Sequence, residues 1–225
     1  MGKVCVVVPA RNEAPRISAV LRDLRGVLAD LGPFEVIVVD DASADATAAV
    51  AEAEGAIVLQ HQSRRGLGAA LRTGTEAGLR RGAEVVVHLD GDGQHDPADL
   101  RGLLAALEPN VDYVAGRRAF RAPMPALFIF GNQVLSLLTW LLFGAWNPDT
   151  QCGYRAFRAG AYERLRWTAD DYAEASEIVV RVRANRLVAR LLPVRTIYLD
   201  RYKGTGVRDG FRILAQLLRW RFGGL

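Results

Sequence analysis

Apolar and polar positions divide the first half of the chain into short β-type runs that alternate with helical stretches. Residues 3–8 form an apolar run that stops at Pro9, which predicts a buried strand. Residues 14–31 carry Ile17, Val20, Leu21, Leu24 and Leu28 at helical spacing. Runs at 34–39, 56–60, 84–89 and 111–115 predict four more strands. Helices are predicted at 45–54, 66–81 and 97–107, the last with Pro at its first position, where the missing N–H costs little. Strands alternating with helices predict an α/β, mostly parallel sheet with helices on both faces. Such sheets bind ligands beyond the carboxyl ends of their strands. Arg11-Asn12-Glu13, Asp40-Asp41, Asp90 to Gln94 and Arg117-Arg118 all fall there.

The second half reads differently. Residues 127–143 are strongly apolar, with Asn132, Ser136 and Thr139 forming a narrow polar stripe. That helix is shorter than the ~20 residues a spanning helix needs. It either packs in the core or lies in a membrane surface. A helix follows at 174–189 and a strand at 191–199. Residues 207–222 place Val207, Phe211, Leu214, Leu218 and Phe222 on one face and Arg208, Arg212 and Arg219 on another. A basic amphipathic helix of this kind suits a lipid interface.

Composition sharpens this picture at two points. The net charge of +4 is concentrated at the end, where Arg201, Lys203, Arg208, Arg212, Arg219 and Arg221 face one acid, Asp209. Such a stretch suits anionic lipid or nucleic acid. The two cysteines, Cys5 and Cys152, fit no metal-ligand spacing. With no secretory-leader pattern at the start, the expected place is the cytoplasm, peripheral to the inner face of the cell membrane.

The candidate chemistry lies in Asp90-Gly91-Asp92-Gly93-Gln94, directly after the 84–89 run. Two carboxylates one residue apart diverge unless something holds both. A hard divalent cation does so through oxygen ligands, and the Gln94 amide offers a third. The competing reading is a solvated Gly-rich turn. An EF-hand loop is excluded, because Gln94 and Arg101 occupy its fifth and twelfth positions. Mg²⁺ usually keeps waters and shares itself with substrate phosphates, so a metal–diphosphate site is expected. Arg117, Arg118 and Arg121 cluster before the apolar helix and suit a phosphate headgroup.

Five segments occur in order: Pro9 to Glu13, Val39 to Thr47, Arg65 to Ala70, Asp90 to Pro97, and Asp149 to Arg155. Together they resemble the family 2 glycosyltransferases, and within them the dolichol-phosphate mannosyltransferase-like branch. The likeness runs over nearly the whole chain. It implies a GT-A (Rossmann-like) domain at 1–206, with a nucleotide-sugar half at 1–117 and an acceptor half at 118–206. Residues 207–225 form the basic membrane-surface helix. The implied activity is inverting transfer of a hexose, from GDP-mannose or UDP-glucose, to a polyprenyl phosphate.

Carried over residue by residue, Pro9, Arg11, Glu13 and Asp41 line the nucleotide-sugar pocket with Asp90, Gly91 and Asp92, while Asp40 braces its strand end. Asp90, Asp92 and Gln94 match the metal motif, for Mg²⁺ or Mn²⁺. Asp92, Arg117 and Arg201 are the expected catalytic residues, and Lys203 stands beside Arg201. Arg117, Arg118, Arg121, Asp149 and Arg155 are expected on the acceptor-phosphate side, although Asp149 and Arg155 could equally form an internal ion pair. Glu177 matches an acidic position of open role. Three departures stand out: Arg11 for an aromatic residue, Ala46 for Gly and Arg64 for Asn.

The expected partners are the nucleotide sugar, the lipid acceptor and the membrane surface. A second copy or a membrane partner protein could join them, and no nucleic acid is expected. Two alternatives compete. One is transfer to a saccharide or protein hydroxyl. The other is a non-catalytic nucleotide-binding membrane adaptor, which would have no need of the metal motif.

Overall fold

The structure, a computed structural model, describes residues 2–119, 126–197 and 206–224. Arg121, Arg201 and Lys203 lie outside the described residues. Seven strands form one sheet: β1 (Val4–Ala10), β2 (Phe34–Asp40), β3 (Ile57–Gln60), β4 (Val85–His88), β5 (Tyr113–Arg118), β6 (Arg155–Arg158) and β7 (Ala189–Val194). Their order is β3-β2-β1-β4-β6-β5-β7. Every neighbouring pair is parallel except β6, which runs antiparallel to both β4 and β5. The mostly parallel α/β architecture is the one expected.

Alternation along β1 explains the two-faced core. Val4, Val6 and Val8 pack with Ile17, Leu21 and Leu24 of α1 (Ala14–Leu28) and with Leu100 and Leu103 of α4 (Leu100–Ala106). Cys5 and Val7 point the other way, toward Leu71 of α3 (Leu67–Arg80) and Ile178 of α7 (Ala173–Ala184). Two shorter helices, α2 (Thr47–Ala53) and α6 (Tyr162–Leu165), complete these layers.

Some boundaries differ from the expected ones. β1 continues through Pro9, whose carbonyl accepts from the Gly91 N–H at 3.3 Å. The helix expected at 174–189 stops at Ala184, and Arg186 takes φ +52° before β7 begins. Strand β6 was not expected. Its sequence, Arg-Ala-Phe-Arg, is short and carries no apolar run.

A third cluster joins α5 (Ala126–Phe143) and α8 (Val207–Gly223) to α7. Leu135, Ala173, Ile213, Leu217 and Trp220 are buried together. On α5 the polar stripe faces inward, with Asn132, Ser136 and Thr139 buried. Leu127, Phe130, Leu137, Trp140 and Leu141 are exposed, an inversion of the usual soluble pattern. The expected apolar face of α8 also points out, with Phe211 68% and Phe222 83% exposed. The inward face of α8, Ile213, Leu217 and Trp220, was missed because it lies between the arginines of the sequence pattern. Among the described residues, no helix is long and apolar enough to cross a membrane.

Candidate active site

One cleft opens at the carboxyl ends of β1, β2 and β4. Pro9, Ala10, Arg11, Glu13 and Asp41 line one wall, together with Arg64, Gly66 and Leu67. Asp90, Gly91, Asp92, Gln94 and His95 form its floor. Arg118, Gln151, Gly153, Arg155, Tyr172 and Glu174 form the far wall, with Asp209 and Arg212 of α8.

Backbone turns are pinned by side chains on the first wall. Asn12 adopts φ +54°, and its side-chain Oδ1 accepts from the Ala44 N–H at 2.8 Å. The Glu13 N–H donates to Thr47 Oγ1 at 2.8 Å, and the Ala14 N–H to Asp45 at 3.2 Å. Ser43, Asp45 and Thr47 therefore lock the loop after β1 to the loop after β2. Ala46 sits at φ −81°, so replacing glycine there costs no backbone strain. Asp40 accepts from the Ser43 N–H at 3.0 Å and braces its turn. Asp41 lies 2.8 Å from His61 Nδ1 and accepts from the backbone N–H groups of Arg65 and Gly66. Burial opposes its charge, but these partners outweigh burial and hold the carboxyl below its ordinary range. Asp41 thus fixes the turn that leads into α3.

The floor concentrates negative charge. His95 Nε2 lies 3.0 Å from Asp90 Oδ2. Desolvation raises the Asp90 carboxyl, yet His95, Arg155 and Arg118 together hold it below its usual value. Desolvation, and then the charge of Asp90, pushes Asp92 up to about 6. A carboxyl raised by burial and by the charge of a neighbouring carboxylate is relieved by a cation held between the two. Among the described residues, no three His, Cys, Asp or Glu side chains converge as a closed metal cage. The residues fit an open oxygen site of two carboxylates and an amide that leaves positions for phosphate and water.

The far wall holds two separate ion pairs. Arg118 meets Asp149 in a fork of 2.7 and 2.9 Å, with Asp149 buried. Arg155 meets Glu174 at 2.9 Å, both about 1% exposed. Asp149 and Arg155 are therefore each paired, with different partners. Arg117 is exposed on β5 and does not line the cleft. Glu177 accepts from the backbone N–H groups of Thr168 and Ala169 and pairs with Arg181 at 2.7 Å, which makes it a loop brace. His95 and Gly153 lay inside recognised segments but had not been singled out. Glu174 and Tyr172 carried no sequence signal, and Arg212, expected on the lipid-facing basic stripe of the last helix, lines the cleft with Asp209 instead, because only packing of α7 and α8 brings them here.

Residues 5–166 match the family described as Glycosyl transferase family 2. A UDP-N-acetylglucosamine–dolichyl-phosphate N-acetylglucosaminyltransferase of Methanococcus voltae is 31% identical, over 98% of this chain and 96% of its own length. A polyprenol monophosphomannose synthase of Mycolicibacterium smegmatis is 27% identical, over 95% of this chain and 86% of its own. A crystal structure of glucosyl-3-phosphoglycerate synthase from Mycobacterium tuberculosis, in complex with Mn²⁺, UDP and glucosyl-3-phosphoglycerate, superposes with a TM-score of 0.74. It covers 98% of this chain and 80% of the synthase at 22% identity.

The chain belongs to glycosyl transferase family 2, has the GT-A fold and is a glycosyltransferase. Its resemblance to the polyprenyl-phosphate branch is borne out by these relatives.

Proposed function

We propose that this enzyme transfers a hexose, or an N-acetylated hexosamine, from a nucleoside diphosphate to a polyprenyl phosphate at a membrane surface, with inversion. One observation carries the acceptor reading. α8 lends Asp209 and Arg212 to the acidic cleft and packs against α5, and both helices turn large apolar side chains outward. Exposed Arg208, Arg219 and Arg221 flank the α8 patch. This combination matches an anionic bilayer, which supplies both apolar depth and negative charge.

The residues divide the work. The wall from Pro9 to Asp41 takes the nucleoside. Asp90, Asp92 and Gln94 hold Mg²⁺ or Mn²⁺, which would offset the charge growing on the leaving diphosphate. Arg201 and Lys203 are proposed to add to that stabilisation. The acceptor phosphate has a second pKa near ~6, so it attacks as a dianion and needs no general base. This agrees with His95, the cleft-lining histidine, being turned to Asp90 rather than to solvent.

The reading is tested with radiolabelled UDP-glucose, UDP-N-acetylglucosamine and GDP-mannose, each offered with undecaprenyl phosphate in anionic vesicles. Label should move into the organic phase with one donor. Label that stays aqueous with all three, while a soluble sugar or phosphoglycerate becomes glycosylated, refutes the lipid acceptor.

A further inference from the structure

We propose that Arg212 of α8 takes the phosphate of the lipid acceptor and thereby carries acceptor selectivity into the cleft from the membrane side. The proposal rests on the acceptor reading above and adds to it a residue outside the recognised motifs.

α8 presents three different edges. Ile213, Leu217 and Trp220 are buried against α5 and α7. Phe211, Leu218 and Phe222 face outward. Asp209 and Arg212 line the cleft. Tyr172, on the same wall, has its hydroxyl pKa raised by burial first, then by Asp90, Asp209 and Asp92, with Arg64 opposing. Asp209 and the paired carboxylates thus act on one hydroxyl, and all of them line the same cleft.

Charge on the far wall favours Arg212. An anionic acceptor must approach Asp90, Asp92, Glu174 and Asp209, so it needs a cation. Arg118 and Arg155 are already held by carboxylates at 2.7 and 2.9 Å. Arg212 makes a looser pair, 3.7 Å to Asp209 Oδ1 one turn away, and its side chain is 72% exposed. It can exchange that contact for a phosphate at little cost, and its planar fork matches phosphate oxygens in pairs.

Position separates the two candidate anions. The donor diphosphate belongs with the floor and the β1–β2 wall. The acceptor phosphate is tethered to a chain that stays in lipid, so it enters where the cleft meets the bilayer. Arg212 is adjacent to Phe211, whose side chain faces outward.

Arg212→Ala and Arg212→Lys are compared with the unaltered enzyme in three measurements. These are the KM for undecaprenyl phosphate in vesicles at saturating donor, the Kd for UDP and GDP, and partition onto acceptor-free anionic vesicles. Arg212→Ala should raise the lipid-phosphate KM roughly ten-fold or more, as losing a charge-assisted hydrogen bond predicts. Lys should recover part of that loss. Nucleotide Kd should stay within about two-fold, and vesicle partition should fall by no more than about five-fold, the ~1 kcal/mol one arginine contributes near an anionic surface.

An unmoved lipid KM overturns the proposal. A fall in vesicle partition that accounts for the whole KM change places Arg212 in the membrane patch and also overturns it. Weaker nucleotide binding assigns the residue to the donor instead. If the unaltered enzyme gives no lipid-linked product, the acceptor reading fails and this proposal fails with it. If the unaltered enzyme is active and the variants match it, Arg212 alone is refuted.

Discussion

Asp90 is held from two sides, by His95 Nε2 at 3.0 Å and by the backbone of Gly153, where a Cβ would come within 2.6 Å of Asp90 Oδ2. One carboxylate oxygen is thus oriented by an imidazole that is itself buried. Outer partners of this kind typically change metal affinity by about 10- to 100-fold. His95→Ala and Gly153→Ala should each weaken Mn²⁺ binding by at least the lower figure, read by electron paramagnetic resonance titration without any sugar donor. Affinity unchanged in both variants would show that Asp90 needs no outside support.

Asp92→Asn and Asp90→Asn should lower transfer on the order of a hundred-fold or more, the loss expected when stabilisation of a developing charge is removed. Circular dichroism should stay native, because both side chains open into the cleft. Chelator should stop the unaltered enzyme, and added Mg²⁺ or Mn²⁺ should restore it. Full turnover in chelator would remove the metal from the reaction.

His88 predicts a pH effect on stability. Its ring is fully buried, with Nε2 2.9 Å from Thr75 Oγ1, between Phe157 and Trp167. Burial, and then Arg155, holds its pKa well below the ordinary 6.5. In the unfolded chain the same group protonates near 6.5. The unfolded state therefore binds the extra proton first, and this contribution to stability, complete above 6.5, is lost as pH falls below it. One group supplies a slope of up to about 1.4 kcal/mol per pH unit. Urea midpoints of His88→Gln, followed between about pH 7 and 5.5, should show a shallower slope than the parent. Parallel slopes would assign acid sensitivity to other groups.

The two apolar faces of α8 should separate stability from membrane binding. Leu217→Ala empties a fully buried site and should cost about 2–5 kcal/mol in urea unfolding. Phe211→Ser with Phe222→Ser touches exposed positions and should stay within about 0.5 kcal/mol per site. That double variant should lose vesicle partition, because burying one Phe in lipid is worth about 1.5–3 kcal/mol. Retained partition would show that Phe211 and Phe222 are not the anchor and would turn attention to the exposed face of α5.

Much of this molecule could be read from residue order. The parallel strands announced themselves as Val-rich runs, and the acid pairs fell at their ends because side chains there have no core to fill. Legibility failed where a position is set by distant packing. Arg155-Ala156-Phe157-Arg158 has a charged residue at each end, yet it forms a central strand because β4 and β5 offer two open ladders. Phe211 and Phe222 were read as one face of a helix, whereas the face that packs on the protein was hidden among arginines. Asp149 and Arg155 belong to one sequence motif but take Arg118 and Glu174 as partners, a choice that only the approach of β5 and α7 decides.

The reversal of β6 has a consequence for how such an enzyme can diversify. Parallel strands deliver to the cleft the residues that follow them, whereas an antiparallel strand delivers the residues that precede it. His88 pairs with Arg155, so the 149–154 turn arrives beside the acid floor from the opposite chain direction. Loops that follow β1, β2 and β4 can then be conserved for one substrate while the turn that precedes β6 is rebuilt for another. The sheet thereby decouples the two choices an enzyme of this kind must make, and a change of acceptor need not disturb the nucleotide.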